Sequence, residues 1–205
     1  MSEFDLLIGT RNTGKIREIR NAFRGLPLRL HLLTEFPHVS TPTESGATYE
    51  ENAIIKAQAY SQQTALATLA DDSGLEVDQL NGEPGVLSAR YAGDRASDEE
   101  RVRLLLSKLS AGNGSEISAR FVCVMVIADS RVLKTAKGIC KGRIASGPRG
   151  QNGFGFDPVF IPAGYTLTFA ELPEEVKNSI SHRARALGRI KQFLSELLST
   201  SSTRL

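Results

Sequence analysis

A chain of 205 residues with 25 Lys and Arg against 23 Asp and Glu has a net charge of +2. That balance excludes a global field drawing it to DNA, RNA or an anionic membrane, so any polyanion it takes must be small and locally held. Its two cysteines, Cys123 and Cys140, lie in strand-like runs without metal-ligand spacing and read as buried thiols in a reducing compartment. No apolar run approaches the roughly 18 residues that a membrane span needs. No charged-then-apolar leader opens the chain, and a cytoplasmic protein is expected.

In chain order, residues 4–9 form a short apolar run ending in glycine, after which Ile16, Ile19, Ala22 and Phe23 recur at helical spacing. That pattern predicts strand, glycine loop, helix. A Pro-containing connector, FPHVSTPTESG, carries Glu44 and leads to a second helical pattern from about Thr48 through Ala53, Ile54 and Ala57 to Ala67. In LADDSGLEVDQLNGEPGV, Leu75, Val77 and Leu80 predict a strand with the acidic pair Asp71-Asp72 at its edge. Ser97 with Glu100 reads as a capping box opening a helix that carries Val102, Leu105, Leu106 and Leu109 and ends at the loop SAGNGSE.

Two β-rich runs between Ile117 and Ala145, joined by Asp-Ser, predict a long hairpin. The glycine-rich GPRGQNGFGFDPVF follows. A final helix carries an apolar stripe of Leu187, Ile190, Phe193, Leu194 and Leu197. Residues 1–198 read as a single mixed α+β domain, and residues 199–205 as a frayed tail.

The loop GTRNTGKI almost spells a P-loop, but Ile16 stands where the Mg²⁺-holding hydroxyl belongs. Its backbone N–H groups, the positive end of the next helix and the Lys15 ammonium favour a phosphate, with side-chain help from Thr10 and Asn12. The plainer reading is a tight strand-to-helix turn. In an extended segment Asp71 and Asp72 point to opposite faces, so only one serves a given site; a strand-end Asp suits Mg²⁺, while DDSG also suits a capped turn.

Glu50 and Glu51 fit an ordinary first helical turn, whereas Glu44 is the better second carboxylate. Phe154 and Phe156 alternate with small residues and offer a ring to a flat base, or are core. Asp157 before Pro158 reads a ring N–H or forms a turn. Ser181 reads as an N-cap, with His182 and Arg183 in the next turn and Lys177 upstream. Cations there oppose the helix dipole, which points to an acceptor-rich ligand rather than a solvated face. The scattered His31, His38 and His182 make no zinc set, and no Cys/His pair has nucleophile-base spacing.

Taken in order, TRNTGK, ADDSGLEV, PGVLSARYAG, GFGFDPVF and KNSISHRARAL resemble the inosine triphosphate pyrophosphatase family, also called Ham1-like or RdgB-like, over about residues 4–195. The full DDSGLEV and SARYAG wording is similar to bacterial members. The resemblance implies an α/β fold, mixed α+β, two-lobed around a long mixed sheet flanked by helices, with an active-site cleft between the lobes. It implies a homodimer that hydrolyses ITP, dITP and XTP to the monophosphate and pyrophosphate with Mg²⁺.

Carried over by motif, Thr10, Arg11, Asn12, Thr13, Gly14 and Lys15 would cradle the triphosphate. Asp72 would be base and metal ligand, with Glu44 as the second ligand, and Ser73 would touch substrate. Phe154, Gly155, Phe156, Asp157, Lys177, His182 and Arg183 would form the base and ribose end. The family's loop usually has a small residue where Arg11 stands, and its connector often has two acids where this chain has Thr43-Glu44. Two alternatives stay open: a pyrophosphatase for modified pyrimidine triphosphates, and a non-catalytic nucleotide-binding regulator.

Overall fold

The structure is a computed structural model, and it describes residues 3–109 and 116–202, without the side chains of the last two. Five helices and six strands follow along these residues: β1 (Phe4–Ile8), α1 (Thr13–Ala22), β2 (Leu28–Leu32), α2 (Tyr49–Thr64), β3 (Ala67–Val77), α3 (Asp98–Leu109), β4 (Ser118–Ala128), β5 (Val132–Ile144), β6 (Phe160–Pro162), α4 (Glu174–Ile180) and α5 (His182–Ser202). The strands form one mixed sheet in the order β2-β1-β3-β4-β5-β6. β1 pairs parallel with both β2 and β3, and β5 pairs antiparallel with β6. The expected α/β class is therefore met. No helix among the described residues is long and apolar enough to cross a membrane.

The chain divides into two compact units. One comprises Met1–Asp72, Cys123–Lys137 and Ala184–Leu205; the other comprises Ser73–Val122 and Gly138–Arg183. In the first, the period-two alternation of β1 sends Leu6 and Ile8 into one apolar cluster and Leu7 into another. Leu6 and Ile8 meet Ile19 and Phe23 of α1, Cys123, Met125 and Ile127 of β4, and Leu187, Ile190 and Leu194 of α5. Leu7 meets Leu33, Val39 and Tyr60. Each such side chain, fully buried, contributes about 1.5–3 kcal/mol.

In the second unit, Leu75 and Val77 of β3 pack with Val102, Leu105 and Leu109 of α3 and with Phe121, Phe156, Phe160 and Phe169. Phe121, Phe160 and Phe169 form a triangle of rings, Phe160 lying 4.7 Å from Phe121 and 5.1 Å from Phe169, which are 6.0 Å apart, centroid to centroid. Such edge and tilted contacts add specificity beyond area burial.

Several boundaries differ from the sequence expectation. α2 stops at Thr64, because Ala65 takes a left-handed conformation (φ 58°) and its N–H closes on Ser61 O; Ala67 already begins β3. A left-handed cap without glycine leaves no signal in the sequence. β3 runs straight through DDSG, so the acidic pair lies mid-strand rather than at an edge or turn, and Leu80 belongs to a 3-10 turn over Asp78–Leu80. β2, with its alternating Leu28, Leu30 and Leu32, and the seven-residue α4 after Pro173 were not foreseen.

The Ser97–Glu100 box forms as read: Ser97 N–H donates to Glu100 Oε2 and Glu100 N–H to Ser97 Oγ. β4 and β5 are neighbours joined through residues 129–131, a connection short enough only for a hairpin. α5 is helical through Ser202. Residues 203–205 of the expected tail, and residues 110–115 of the loop SAGNGSE, lie outside the described residues.

Candidate functional site

The glycine loop does what its residue types suggest. Gly9 N–H donates to Leu69 O at 2.7 Å. A Cβ on Gly9 would lie 3.0–3.2 Å from Thr68, Tyr60 and Ala70, so glycine is what lets the loop pass this close to β3. Asn12 caps α1 by accepting the Lys15 N–H, and the Thr10 hydroxyl accepts the Asn12 N–H. The N-terminus of α1 thus brings its dipole to residues 12–15. Ile16 is partly buried against the core cluster, as expected of a loop that asks no hydroxyl of that position. Arg11 donates to Val39 O at 3.3 Å, which ties the loop to the connector.

Two acid–lysine pairs stand on β3. Asp71 Oδ2 lies 3.0 Å from Lys15 Nζ. Asp72 Oδ1 lies 3.2 Å from Lys56 Nζ, which also lies 3.1 Å from Glu44 Oε2. Asn52, fully buried, donates to Asp72 Oδ2 and accepts the Gly46 N–H, joining the connector to the strand.

Burial raises the Asp72 pKa above its ordinary value, and the neighbouring Glu44 and Asp71 carboxylates add to the effect against the pull of Lys56 and Lys15. For Lys56, burial opposes the charge, but Asp72, Asp71 and Glu44 outweigh it and raise the pKa. Glu44, Asp71 and Asp72 thus lie beside the Lys15 and Lys56 ammoniums.

The oxygens that share the Lys56 ammonium are the hard donors that Mg²⁺ prefers, and one cation already bridges them. Among the described residues no group of three or more His, Cys, Asp or Glu side chains is set to hold a metal. Glu51 is spent on capping α2, accepting the Ala47 and Thr48 N–H groups, and takes no part in this cluster.

In the second unit the GFGF loop is held from beneath by acids. Asp157, buried at the start of a 3-10 turn, accepts the Phe154 N–H at 2.9 Å and the Lys177 ammonium at 2.5 Å. Asp98 accepts the Gly155 N–H at 2.6 Å. Asp157 thus forms the turn rather than standing extended. Phe154 keeps partly exposed ring surface, with Lys177 Nζ 4.7 Å and Arg183 Cζ 5.4 Å from its centroid. Phe156 is 3% exposed, edge-on to Tyr91, so of the two rings it is the core one.

Ser181 occupies the extended position between α4 and α5. His182 and Arg183 are 4% and 2% exposed, which rules out the solvated-face alternative for these cations. His182 stacks on Phe121, and Arg183 Nη2 donates to Ser73 Oγ at 2.9 Å.

Sequence reasoning missed Asn52, Lys56, Asp98 and Phe121. For two of them a signal existed. The buried face of α2 runs Tyr49, Asn52, Ala53, Lys56, Ala57, Tyr60, so an amide and an ammonium occupy core-periodic positions. A buried Lys at such a position is almost always paired. Asp98, in the first turn of α3, and Phe121, in the apolar run of β4, carry no local signal of these contacts.

Three comparisons agree with this picture. The chain is 47% identical over 187 residues to a dITP/XTP pyrophosphatase of Deinococcus deserti, covering 91% of this chain and 87% of the relative. It is 46% identical to a dITP/XTP pyrophosphatase of Geobacter sulfurreducens, covering 92% and 96%. A solved HAM1 protein from Coxiella burnetii superposes with a TM-score of 0.86 at 42% identity, covering 94% of this chain and 99% of that one. The sequence model of the Ham1 family matches residues 6–193, and the chain belongs to that family.

Proposed function

We propose that this protein hydrolyses non-standard purine nucleoside triphosphates, ITP, dITP and XTP, to the nucleoside monophosphate and pyrophosphate. The names of the Deinococcus and Geobacter relatives support the substrate class. The observation that carries the chemistry is the group of Glu44, Asp71 and Asp72 set against Lys15 and Lys56. A cytoplasmic homodimer is part of the same reading, on the strength of the resemblance.

The loop amides of residues 10–15 and the Lys15 ammonium hold the triphosphate. Glu44 and Asp72 would hold Mg²⁺, which would supply charge neutralisation at the phosphate oxygens. Asp72 accepts the proton of the attacking water. Asn52 fixes its second oxygen by donating to Oδ2. Attack at the α phosphorus leaves pyrophosphate intact.

At the base end Phe154 offers a stacking face, while His182 and Arg183 donate to the 6-oxo group that inosine and xanthine share. Adenine carries an amino group there, and a site built for that hydrogen bond rejects the analogue lacking it by about 10⁴ to 10⁵. Incubation with Mg²⁺ and ITP, dITP or XTP should yield pyrophosphate and the matching monophosphate. Absence of turnover with all three, in folded protein, overturns the reading in favour of a nucleotide-binding regulator.

A further inference from the structure

We infer that Asp71 is the positioning residue for Lys15, the lysine assigned above to the triphosphate; the inference rests on that reading of the loop. Asp71 and Asp72 leave opposite faces of β3, and each meets its own lysine. Asp72 has a task in the hydrolysis. Asp71 has none there, although its side chain is only 2% exposed and a carboxylate so buried is retained only when paired.

Its partner is the Lys15 ammonium, 16% exposed. The same oxygen, Oδ2, also lies 3.8 Å from Cys123 Sγ, which donates its S–H to it. Both ends of the pair are built on rigid segments: Asp71 lies mid-strand in β3, and Lys15 in the capped first turn of α1. An unsupported lysine keeps four rotatable bonds and a flexible point charge. Asp71 orders that ammonium before any phosphate arrives, so the ligand does not bear the ordering cost. Because a carboxylate repels phosphate, Asp71 acts through Lys15 and not by contact.

The experiment is a double-mutant cycle of Asp71→Asn, Lys15→Met and the pair, with three readouts. These are calorimetric affinity for inorganic tripolyphosphate without metal, kcat/KM for ITP with Mg²⁺, and Tm. Asp71→Asn alone should lower tripolyphosphate affinity and kcat/KM by about 10- to 100-fold, the range for lost support of a functional group. In the Lys15→Met background it should lower neither further, because nothing remains to be positioned. Lys15→Met alone should lower Tm by taking a cation away from a buried carboxylate, and adding Asp71→Asn should restore part of the loss.

Should Asp71→Asn not fold, Asp71→Glu keeps the charge, displaces the carboxylate by one methylene and should show the same affinity loss. Independent, multiplying losses in the cycle, or an Asp71→Asn protein with unchanged affinity and kcat/KM, would overturn the inference. Wild-type protein that binds tripolyphosphate with the expected cycle yet turns over no ITP would sink the proposed activity and leave this assignment intact.

Discussion

The His182 imidazole lies flat on the Phe121 ring, with centroids 4.6 Å apart and planes 9° apart. Phe121 comes from β4 and His182 opens α5, so a core aromatic sets the plane of the imidazole. Phe121→Leu should cost about 1–3 kcal/mol of stability. It should also reduce the kcat/KM preference for ITP over ATP by on the order of tenfold, because a tilted ring misdirects the hydrogen bond. Parallel thermal melts and kinetics with the two nucleotides test both effects, and an unchanged preference would remove Phe121 from substrate selection.

Gly153 should tolerate no side chain. It takes φ +80°, and a Cβ there would lie 2.0 Å from Asp157 Oδ2, the atom that holds Phe154 and Lys177. Gly153→Ala combines left-handed strain of about 1–3 kcal/mol with displacement of that acid. Gly155→Ala is the control: φ is +63° but the space around it is open. Denaturant midpoints should place Gly153→Ala well below Gly155→Ala.

Removing the ammonium between Glu44 and Asp72 should be costly in the absence of metal. Lys56→Met leaves a buried Asp72 without its countercharge, a loss of about 3 kcal/mol. Added Mg²⁺ should recover part of it by binding the folded state alone. Melts with and without Mg²⁺ decide the matter; a variant as stable as wild type in chelator would show that the carboxylates need no cation.

Where the period was long the chain was legible: α5 and the β4–β5 hairpin follow from their apolar patterns. Where a local signal competed with packing, packing won. Ser73-Gly74 spells a turn, yet β3 passes straight through because Leu75 and Val77 beyond it are fully buried in the second unit's core. Residues with distinctive chemistry in a run, such as Lys15, Asp72, His182 and Arg183, stood out from the sequence as candidates. Lys56 and Asn52 were not, because their meaning comes from Asp72 and Glu44, placed beside them only by the packing of α2. Asp98 and Phe121 likewise gain their roles from contacts across 57 residues to Gly155 and from a ring stack onto α5.

A pH effect on stability should arise away from this chemistry. His31 Nε2 lies 2.7 Å from Asp5 and Nδ1 2.9 Å from Glu35, and Arg29 also approaches Asp5. The hydrogen bond to Asp5, then that to Glu35, raises the His31 pKa above its ordinary 6.5. The protonated ring therefore stabilises the fold fully below 6.5, and this contribution fades as pH rises through the raised value. Asp5 and Glu35 have lowered values, so their share is present above the ordinary carboxylate range and is lost in acid. His31→Gln should be less stable than wild type near about pH 6 and indistinguishable at about pH 9. A gap that grows with pH would contradict the assignment.

The most direct measurement is hydrolysis of ITP with Mg²⁺ in heavy-oxygen water, with the label located in the separated products. Attack at the α phosphorus predicts unlabelled pyrophosphate and heavy oxygen in IMP. Label in pyrophosphate, or the appearance of IDP with orthophosphate, would contradict the hydrolysis proposed for this site.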